Sequence, residues 1–242
     1  MTNFSVIIPT FQEERYIKST LLSLFEAKRY GSLRDTEMEV IVVDSGSDKT
    51  EEIARRLLDK VYKLEKRGIP KARNFGALKS NGEVLIFLDA DVIVPKDFLE
   101  KVSSTFECPE VVGATCANFP ENPSIFEKFF FTIYNLATRF CLWLPPTRLK
   151  IQARGEFLAV RKGFFLRING FNEKLPCAED GELSYRLSKI GKIRFIKDLA
   201  VLESGRRIRK WGVLRTYKTW FESWTSLTLC GRTKFDAWKS VR

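Results

Sequence analysis

Val84-Leu85-Ile86-Phe87-Leu88-Asp89-Ala90-Asp91 joins five consecutive apolar residues to two carboxylates with one small residue between them. The run is too short, and too rich in branched and aromatic side chains, to favour a helix. It predicts a buried strand. Such a strand delivers two negative charges to the rim of the core. A half-buried charge without a partner is costly, so a positive partner is expected there. All-oxygen ligands suit a hard divalent cation, Mg²⁺ or Mn²⁺, bridging to phosphates. A polar turn after a strand is the plainer alternative, and an isolated D-x-D does not decide between them.

The flanking sequence sets the strand in an alternating pattern. Phe4–Ile8 is an apolar run stopped by Pro9. Ile17, Leu21, Leu24 and Phe25 recur at helical spacing, with Glu13 and Glu14 expected in the first turn, where acids suit the helix dipole. Val40–Val43 is a second buried run ending at Asp44, and Ser45-Gly46-Ser47 makes a turn. Asp48 and Glu51 have capping-box spacing ahead of a helix carrying Ile53 and Leu57. A short strand is expected around Val61–Leu64. Pro70 opens a helix with Phe75 and Leu78 facing inward, ended by Asn81-Gly82. The alternation predicts an α/β fold, a parallel sheet with helices on both faces. In such sheets ligands bind beyond the carboxyl ends of the strands. Here three strands end in Pro9-Thr10, Asp44 and Asp89, so polar groups converge at one edge.

The second half is less regular. Phe98, Leu99 and Val102 suggest a helix, Val111–Ala114 a strand, and Phe126–Leu144 a long aromatic helix closed by Pro145-Pro146. Glu156–Val160 reads as a strand and Asn169-Gly170 as a turn. Glu179-Asp180 opens a helix with Leu183, Leu187 and Ile190 on one face, and Ile193–Ile196 is a further strand. The expected division is a catalytic domain over 1–204, with a nucleotide-binding half to about 95 and an acceptor half from about 96, followed by a basic aromatic helical tail over 205–242.

Composition removes several chemistries. The 242 residues contain no histidine, which excludes a Ser-His-Asp triad, a His-ligated zinc and an H-E-x-x-H protease. Five cysteines, odd in number and without a C-x-x-C, argue for a reducing compartment rather than a disulfide framework. A net charge of +11 suggests an anionic partner. No secretory leader is expected ahead of Phe4. Phe129–Thr138 is about half the ~20 residues a membrane span needs.

No G-x-G-x-x-G follows the first strand and no G-x-x-x-x-G-K-[ST] occurs, so dinucleotide oxidoreductases and P-loop NTPases are disfavoured. Lys71 and Arg73 stand at a helix start, where cations oppose the dipole. A diphosphate nearby accounts for them; two solvated surface charges are the alternative.

Six segments, in order, resemble family 2 glycosyltransferases: Phe4–Glu14 (FSVIIPTFQEE), Val42–Thr50 (VVDSGSDKT), Lys71–Gly76 (KARNFG), Phe87–Val92 (FLDADV), Asn169–Glu173 (NGFNE) and Ala178–Glu182 (AEDGE). The resemblance spans residues 4–211. It implies a GT-A fold with a mixed, mostly parallel sheet, a UDP- or GDP-sugar donor, a divalent cation, and transfer with inversion. By resemblance, Pro9, Thr10 and Glu13 line the nucleotide pocket and Asp44 accepts from the base. Lys71 and Arg73 approach the diphosphate, Asp89 touches ribose or metal-bound water, and Asp91 holds the metal. Glu179 and Asp180 match the family's ED pair, with Asp180 the general base; helix capping by acids is the alternative. Arg206, Arg207, Arg209 and Trp211 resemble its basic-plus-Trp element. Two positions depart from the pattern. Ser45 stands where the family often has a second Asp, which weakens assignment of the base, and Glu203 stands where relatives often carry His. Glu203 is expected either as a further metal ligand or as a partner of Arg206 or Arg207.

The segment from Gly205 holds ten Lys or Arg against two acids, and Trp211, Trp220, Trp224 and Trp238. Leu214, Tyr217, Phe221 and Trp224 fall on one helical face, which suits an anionic membrane interface. Phe126, Phe129, Phe130, Ile133 and Trp143 offer a second apolar surface. Packing on the catalytic domain, or a homo-oligomer contact, is the alternative. Basic aromatic surfaces also bind single strands of nucleic acid, but the acid clusters oppose that. The sequence thus points to a hexosyltransferase-like enzyme at the cytoplasmic face of the cell membrane, acting on a lipid-linked or glycan acceptor in polysaccharide or glycolipid synthesis. A non-catalytic nucleotide-sugar- or membrane-binding relative with the same fold is the competing class. A nucleotidyltransferase lacks its glycine-and-basic phosphate loop here.

Overall fold

The structure is a computed structural model that describes residues 3–31, 37–66, 68–143 and 154–230. The first half alternates as its sequence pattern demands: β1 (Phe4–Thr10), α1 (Ile17–Arg29), β2 (Met38–Asp44), α2 (Thr50–Arg55), β3 (Val61–Lys63), α3 (Ile69–Lys79) and β4 (Val84–Leu88). Then follow β5 (Val92–Ile93), α4 (Phe98–Phe106), β6 (Val111–Pro120), α5 (Ile125–Trp143), β7 (Phe157–Arg161), α6 (Lys162–Arg167), α7 (Glu179–Ser188), β8 (Lys192–Glu203), α8 (Arg206–Trp211) and α9 (Val213–Cys230).

All eight strands form one sheet in the order β3-β2-β1-β4-β7-β6-β8-β5. The β3-β2-β1-β4 portion is parallel throughout. β7 then enters antiparallel between β4 and β6, while β8 returns parallel to β6 and carries β5 antiparallel at its end. The sheet is therefore mixed. Side-chain alternation sends residues to opposite faces: Phe4, Val6 and Ile8 join one core layer with Val84, Ile86 and Leu88, whereas Ile7, Leu85 and Phe87 join the other. α1 and α4 cover the first layer through Leu21, Leu24, Phe98 and Val102, and α6 and α7 cover the second through Phe165, Leu183 and Leu187.

Three local expectations change. β1 runs through Pro9 to Thr10, pairing Pro9 with Val43. α1 starts at Ile17 with no acid in its first turn, so Glu13 and Glu14 precede it on the loop. Leu78 is 72% exposed rather than inward. α3 lies on the sheet through Ala72, Gly76 and Ala77, and a Cβ on Gly76 would come 2.4 Å from Ile7 Cγ2. Close approach of backbone to sheet, not large apolar side chains, seats this helix.

α9 packs against α5. Ile208 and Val213 join Phe131 in a separate cluster, and Tyr134 stacks on Trp220 with ring centroids 5.3 Å apart. The expected apolar face of α9 is split: Tyr217 and Trp224 turn toward the body, while Leu214 and Phe221 are exposed. Pro145, Pro146 and Trp238 lie outside the described residues. Among the described residues no helix is long and apolar enough to cross a membrane.

Candidate active site

The carboxyl ends of β1 and β4 open into a cleft of about 480 Å³. Pro9, Thr10 and Glu13 form one wall, Lys71 at the start of α3 another, and Asp89, Asp91, Arg206 and Arg207 close it. The predicted Pro9, Thr10, Glu13, Lys71, Asp89, Asp91, Arg206 and Arg207 are thus brought together. Arg206 reaches back from α8 to grip Glu13 through two bonds of 2.7 Å and stands 3.3 Å from Asp91. Ser204 also donates to Asp91. The Glu13 pair raises the Arg206 guanidinium further, against the cost of burial.

Besides Glu179 and Asp180, four predicted residues sit elsewhere. Asp44 is fully buried behind the cleft. Its carboxylate accepts from Thr10 Oγ1 at 2.7 Å, Gly46 N at 3.2 Å and Lys63 Nζ at 2.6 Å, so the chain itself takes the acceptor positions expected for a base. Arg73 does not line the cleft. Its side chain is 2% exposed, with bonds to Asp89 (2.8 Å), Glu179 (2.9 Å) and the Gly155 carbonyl (2.8 Å). The anion it neutralises is internal. Trp211 stacks on Arg207, 5.0 Å from the guanidinium to the ring centre, and not on the cleft. Glu203, at the end of β8, accepts from Asn118 Nδ2 at 3.2 Å, while Arg206 pairs with Glu13 and Asp91.

Asp89, Asp91, Glu156 and Glu203 crowd one another. Burial chiefly lifts Asp89 to about 8, opposed by Arg73 and reinforced by Glu156 and Asp91. Burial, then Glu156 and Asp91, likewise lift Glu203 well above the carboxylate range. Glu156 Oε2 is buried without a hydrogen-bond partner. Among the described residues no three acids stand close enough to hold a metal unaided. The all-oxygen set fits Mg²⁺ or Mn²⁺ in its usual form, one or two carboxylates completed by substrate phosphates.

Behind Asp89 lies a second chamber of about 380 Å³, between α5, α9 and the start of α7. Glu179 and Asp180 stand on its floor. Ala178, immediately before them, is held left-handed at φ 58°. Asp180 Oδ1 accepts from Gly181 N at 2.8 Å, and Oδ2 lies 3.5 Å from where a Cβ on Gly155 would be. Burial, then Glu179, raises Asp180 to about 6, with Arg73 opposing. Glu179 is the Arg73 partner. Arg186 clasps Glu182 on the same helix at 2.7 Å. Two resembling segments meet nearby: Asn74 exchanges two hydrogen bonds with the Phe171 backbone, at 2.9 and 2.8 Å.

The sequence reading missed the chamber's Arg154-Gly155-Glu156. A Cβ on Gly155 would lie 3.0 Å from Arg73 Nη2, so glycine admits the guanidinium. Charged residues on both sides of a glycine, directly before an apolar strand, were the available signal.

The sheet order and the cleft at its carboxyl edge define the GT-A class of glycosyltransferase fold. The mannosyltransferase PcManGT from Pyrobaculum calidifontis, solved with GDP-Man and Mn²⁺, superimposes with TM-score 0.68 at 22% identity, covering 91% of this chain and 64% of that one. The family model for glycosyl transferase family 2 matches residues 5–166, and the chain belongs to that family. The poly(ribitol-phosphate) beta-N-acetylglucosaminyltransferase TarS of Staphylococcus aureus is 31% identical over 163 residues, 62% of this chain and 27% of its own length. Validoxylamine A glucosyltransferase of Streptomyces hygroscopicus is 28% identical over 221 residues, 77% of this chain and 51% of its own. The chain thus spans between about a quarter and a half of the length of these curated relatives.

Proposed function

We propose that the chain is an inverting, metal-dependent glycosyltransferase that moves a sugar from a UDP- or GDP-sugar to a lipid-linked or glycan acceptor. The observation that carries this is the pair of adjoining spaces on either side of Asp89, the first the more polar and the second largely apolar, with Asp180 on the floor of the second. A solved complex of PcManGT with GDP-Man and Mn²⁺, and one of TarS with UDP-GlcNAc, support the donor class. Lys71 and Arg206 line the cleft where the diphosphate would lie, and Asp91 with Asp89 would hold Mg²⁺ or Mn²⁺. The cation, when bound, neutralises the leaving nucleotide. Asp180 removes the acceptor proton as the oxygen attacks from the side opposite the nucleotide, which inverts the anomeric centre. With Asp44 buried, base selection falls to two loops that line the cleft, through Phe11 after β1 and Ser45 after β2.

The test is turnover of a panel of UDP- and GDP-sugars with Mn²⁺. We expect one donor to be hydrolysed or transferred in a metal-dependent way, and Asp91→Ala to lower kcat/KM at least about a hundredfold. Absence of metal-dependent turnover with every donor supports the non-catalytic binding class instead.

The site of action is the cytoplasmic membrane face. Ile125, Phe129, Ile133, Leu136, Phe140 and Trp143 form an exposed apolar stripe along α5, flanked by exposed Lys128 and Arg139. A stripe of this kind suits an anionic bilayer surface. In flotation with anionic vesicles, Phe129→Ser combined with Phe140→Ser is expected to lower the bound fraction several-fold. Equal flotation of both proteins, or concentration-dependent dimerisation lost in the variant, assigns the stripe elsewhere.

A further inference from the structure

Asp91 already has a cation beside it. Arg206 Nε stands 3.3 Å from Asp91 Oδ2. The guanidinium is fixed from two further sides: Nη1 and Nη2 each donate to Glu13 at 2.7 Å, and it lies over the Tyr16 ring, 5.0 Å from the ring centre. The backbone sets this position. Ser204 donates to Asp91 Oδ2 and accepts from Arg206 N at 3.4 Å, across the left-handed turn at Gly205 (φ 65°). A Cβ on Gly205 would come 2.8 Å from Pro120 Cβ, so the turn calls for glycine. α8 therefore begins against Asp91 and delivers Arg206 there. Both Glu13 oxygens accept from Arg206, which makes Glu13 a seat for the arginine.

Charge decides what shares this corner. The described walls of the cleft carry five Lys or Arg side chains against four carboxylates. Side-chain exposures of 23% for Arg206 and 14% for Asp91 leave the pair only partly screened by solvent. Arg206 therefore repels a bare divalent cation at Asp91. A nucleoside diphosphate reverses the balance, because its oxygens take charge-assisted hydrogen bonds from the guanidinium and outweigh the charge of the ion that accompanies them. A latch tying α8 to the loop after β1 is the plainer account, but Glu13 alone would serve it, without the third contact on Asp91.

We infer that Arg206 is a resident counter-cation on Asp91 that bars the divalent ion until a nucleoside diphosphate draws the guanidinium off, so that ion and nucleotide bind as a unit. This rests on the glycosyltransferase reading above and adds a gate to it. Glu13 is the positioning residue of that gate.

Mn²⁺ binding to the full chain is read directly, from the loss of the free-ion electron paramagnetic resonance signal, and binding of UDP and GDP with Mn²⁺ by calorimetry. Arg206→Gln is expected to bind Mn²⁺ alone about tenfold more tightly than the unsubstituted chain, and the nucleotide with Mn²⁺ about tenfold more weakly. Damage to the fold would weaken both, so the opposite signs are the signature. Adding Asp91→Ala should abolish the gain. Arg206→Lys, which keeps the charge, is expected to leave Mn²⁺ binding weak. Glu13→Gln with Arg206→Gln leaves the net charge of the cleft unchanged and should retain a gain of at least about threefold. Arg167→Gln, which removes an exposed cation from α6, should shift Mn²⁺ affinity by less than about twofold. Mn²⁺ binding unchanged or weaker in folded Arg206→Gln overturns the inference. So does an equal gain in Arg206→Lys or Arg167→Gln, or nucleotide binding that Arg206→Gln leaves intact. Any of these, in a chain that still turns over a nucleotide sugar with Mn²⁺, leaves the underlying reading standing. A chain that turns over no nucleotide sugar ends that reading and this one with it.

Discussion

Asp180→Asn is expected to lower transfer to a hydroxyl about a thousandfold, within the range that a positioned base contributes, while the folded chain becomes no less stable. Asn keeps the shape and the bond from Gly181 N but cannot take a proton. The stability sign follows from the raised value of about 6. The folded state holds the proton more tightly than the unfolded chain does. Stability is therefore greatest below about pH 4, falls as the pH rises from there to about 6, and stays reduced above it. A neutral Asn removes that loss, so the melting temperature at pH 7 is expected to hold or rise as activity collapses. In the unsubstituted enzyme kcat/KM is expected to fall about tenfold per pH unit below about 6, because the base must be ionised to act. Transfer to an already anionic phosphate needs little from a base and would only weaken. Full activity of Asp180→Asn toward a hydroxyl would remove Asp180 from the mechanism.

Arg73→Met is expected to cost about 3–5 kcal/mol of stability, the range for removing one partner from a buried ionic cluster. Its guanidinium joins Asp89 to Glu179, the latter 106 residues from Arg73 in sequence, and to the Gly155 carbonyl. Without it two carboxylates face each other across the floor of both spaces. Thermal unfolding should show a midpoint lowered by about 10 °C. Arg73→Lys, which retains charge but not the three-way geometry, should fall between the two. A melting temperature within about 2 °C of the unsubstituted chain in Arg73→Met would show that the carboxylates relax to solvent, and would deny Arg73 its place as keystone.

Those two residues mark what could be read in advance and what could not. Val84–Asp91 announced itself because five apolar residues and two acids leave few alternatives, and the same reasoning places Thr10 and the Glu179-Asp180 helix. Arg73 was legible as a cation needing an anion. Which anion was not legible, because Glu179 is distant in sequence and no local spacing connects them. The partners of Asp44 were hidden for the same reason: Lys63 reaches it through the β2–β3 pairing and Thr10 through the β1–β2 pairing. On α9 the helical period was read correctly, but the packed face is centred near Trp220. Tyr217 and Trp224 therefore turn inward while Leu214 and Phe221, on the same stripe, remain outside. A wheel shows which residues are neighbours; only the partner helix decides where the seam runs.

The two spaces share just Ile69 and Asp89 among the described residues. The first is lined by strand ends and loops of the first half together with α8 and the loop at 173–176, the second largely by a helix pair drawn from the second half; on the proposed function they take the nucleotide and the recipient. Selectivity for what is given and for who receives it is thus written in separate stretches of chain. Drift or deliberate grafting in α5 and α9 can re-tailor the recipient while sparing the currency, so one catalytic frame can serve many products.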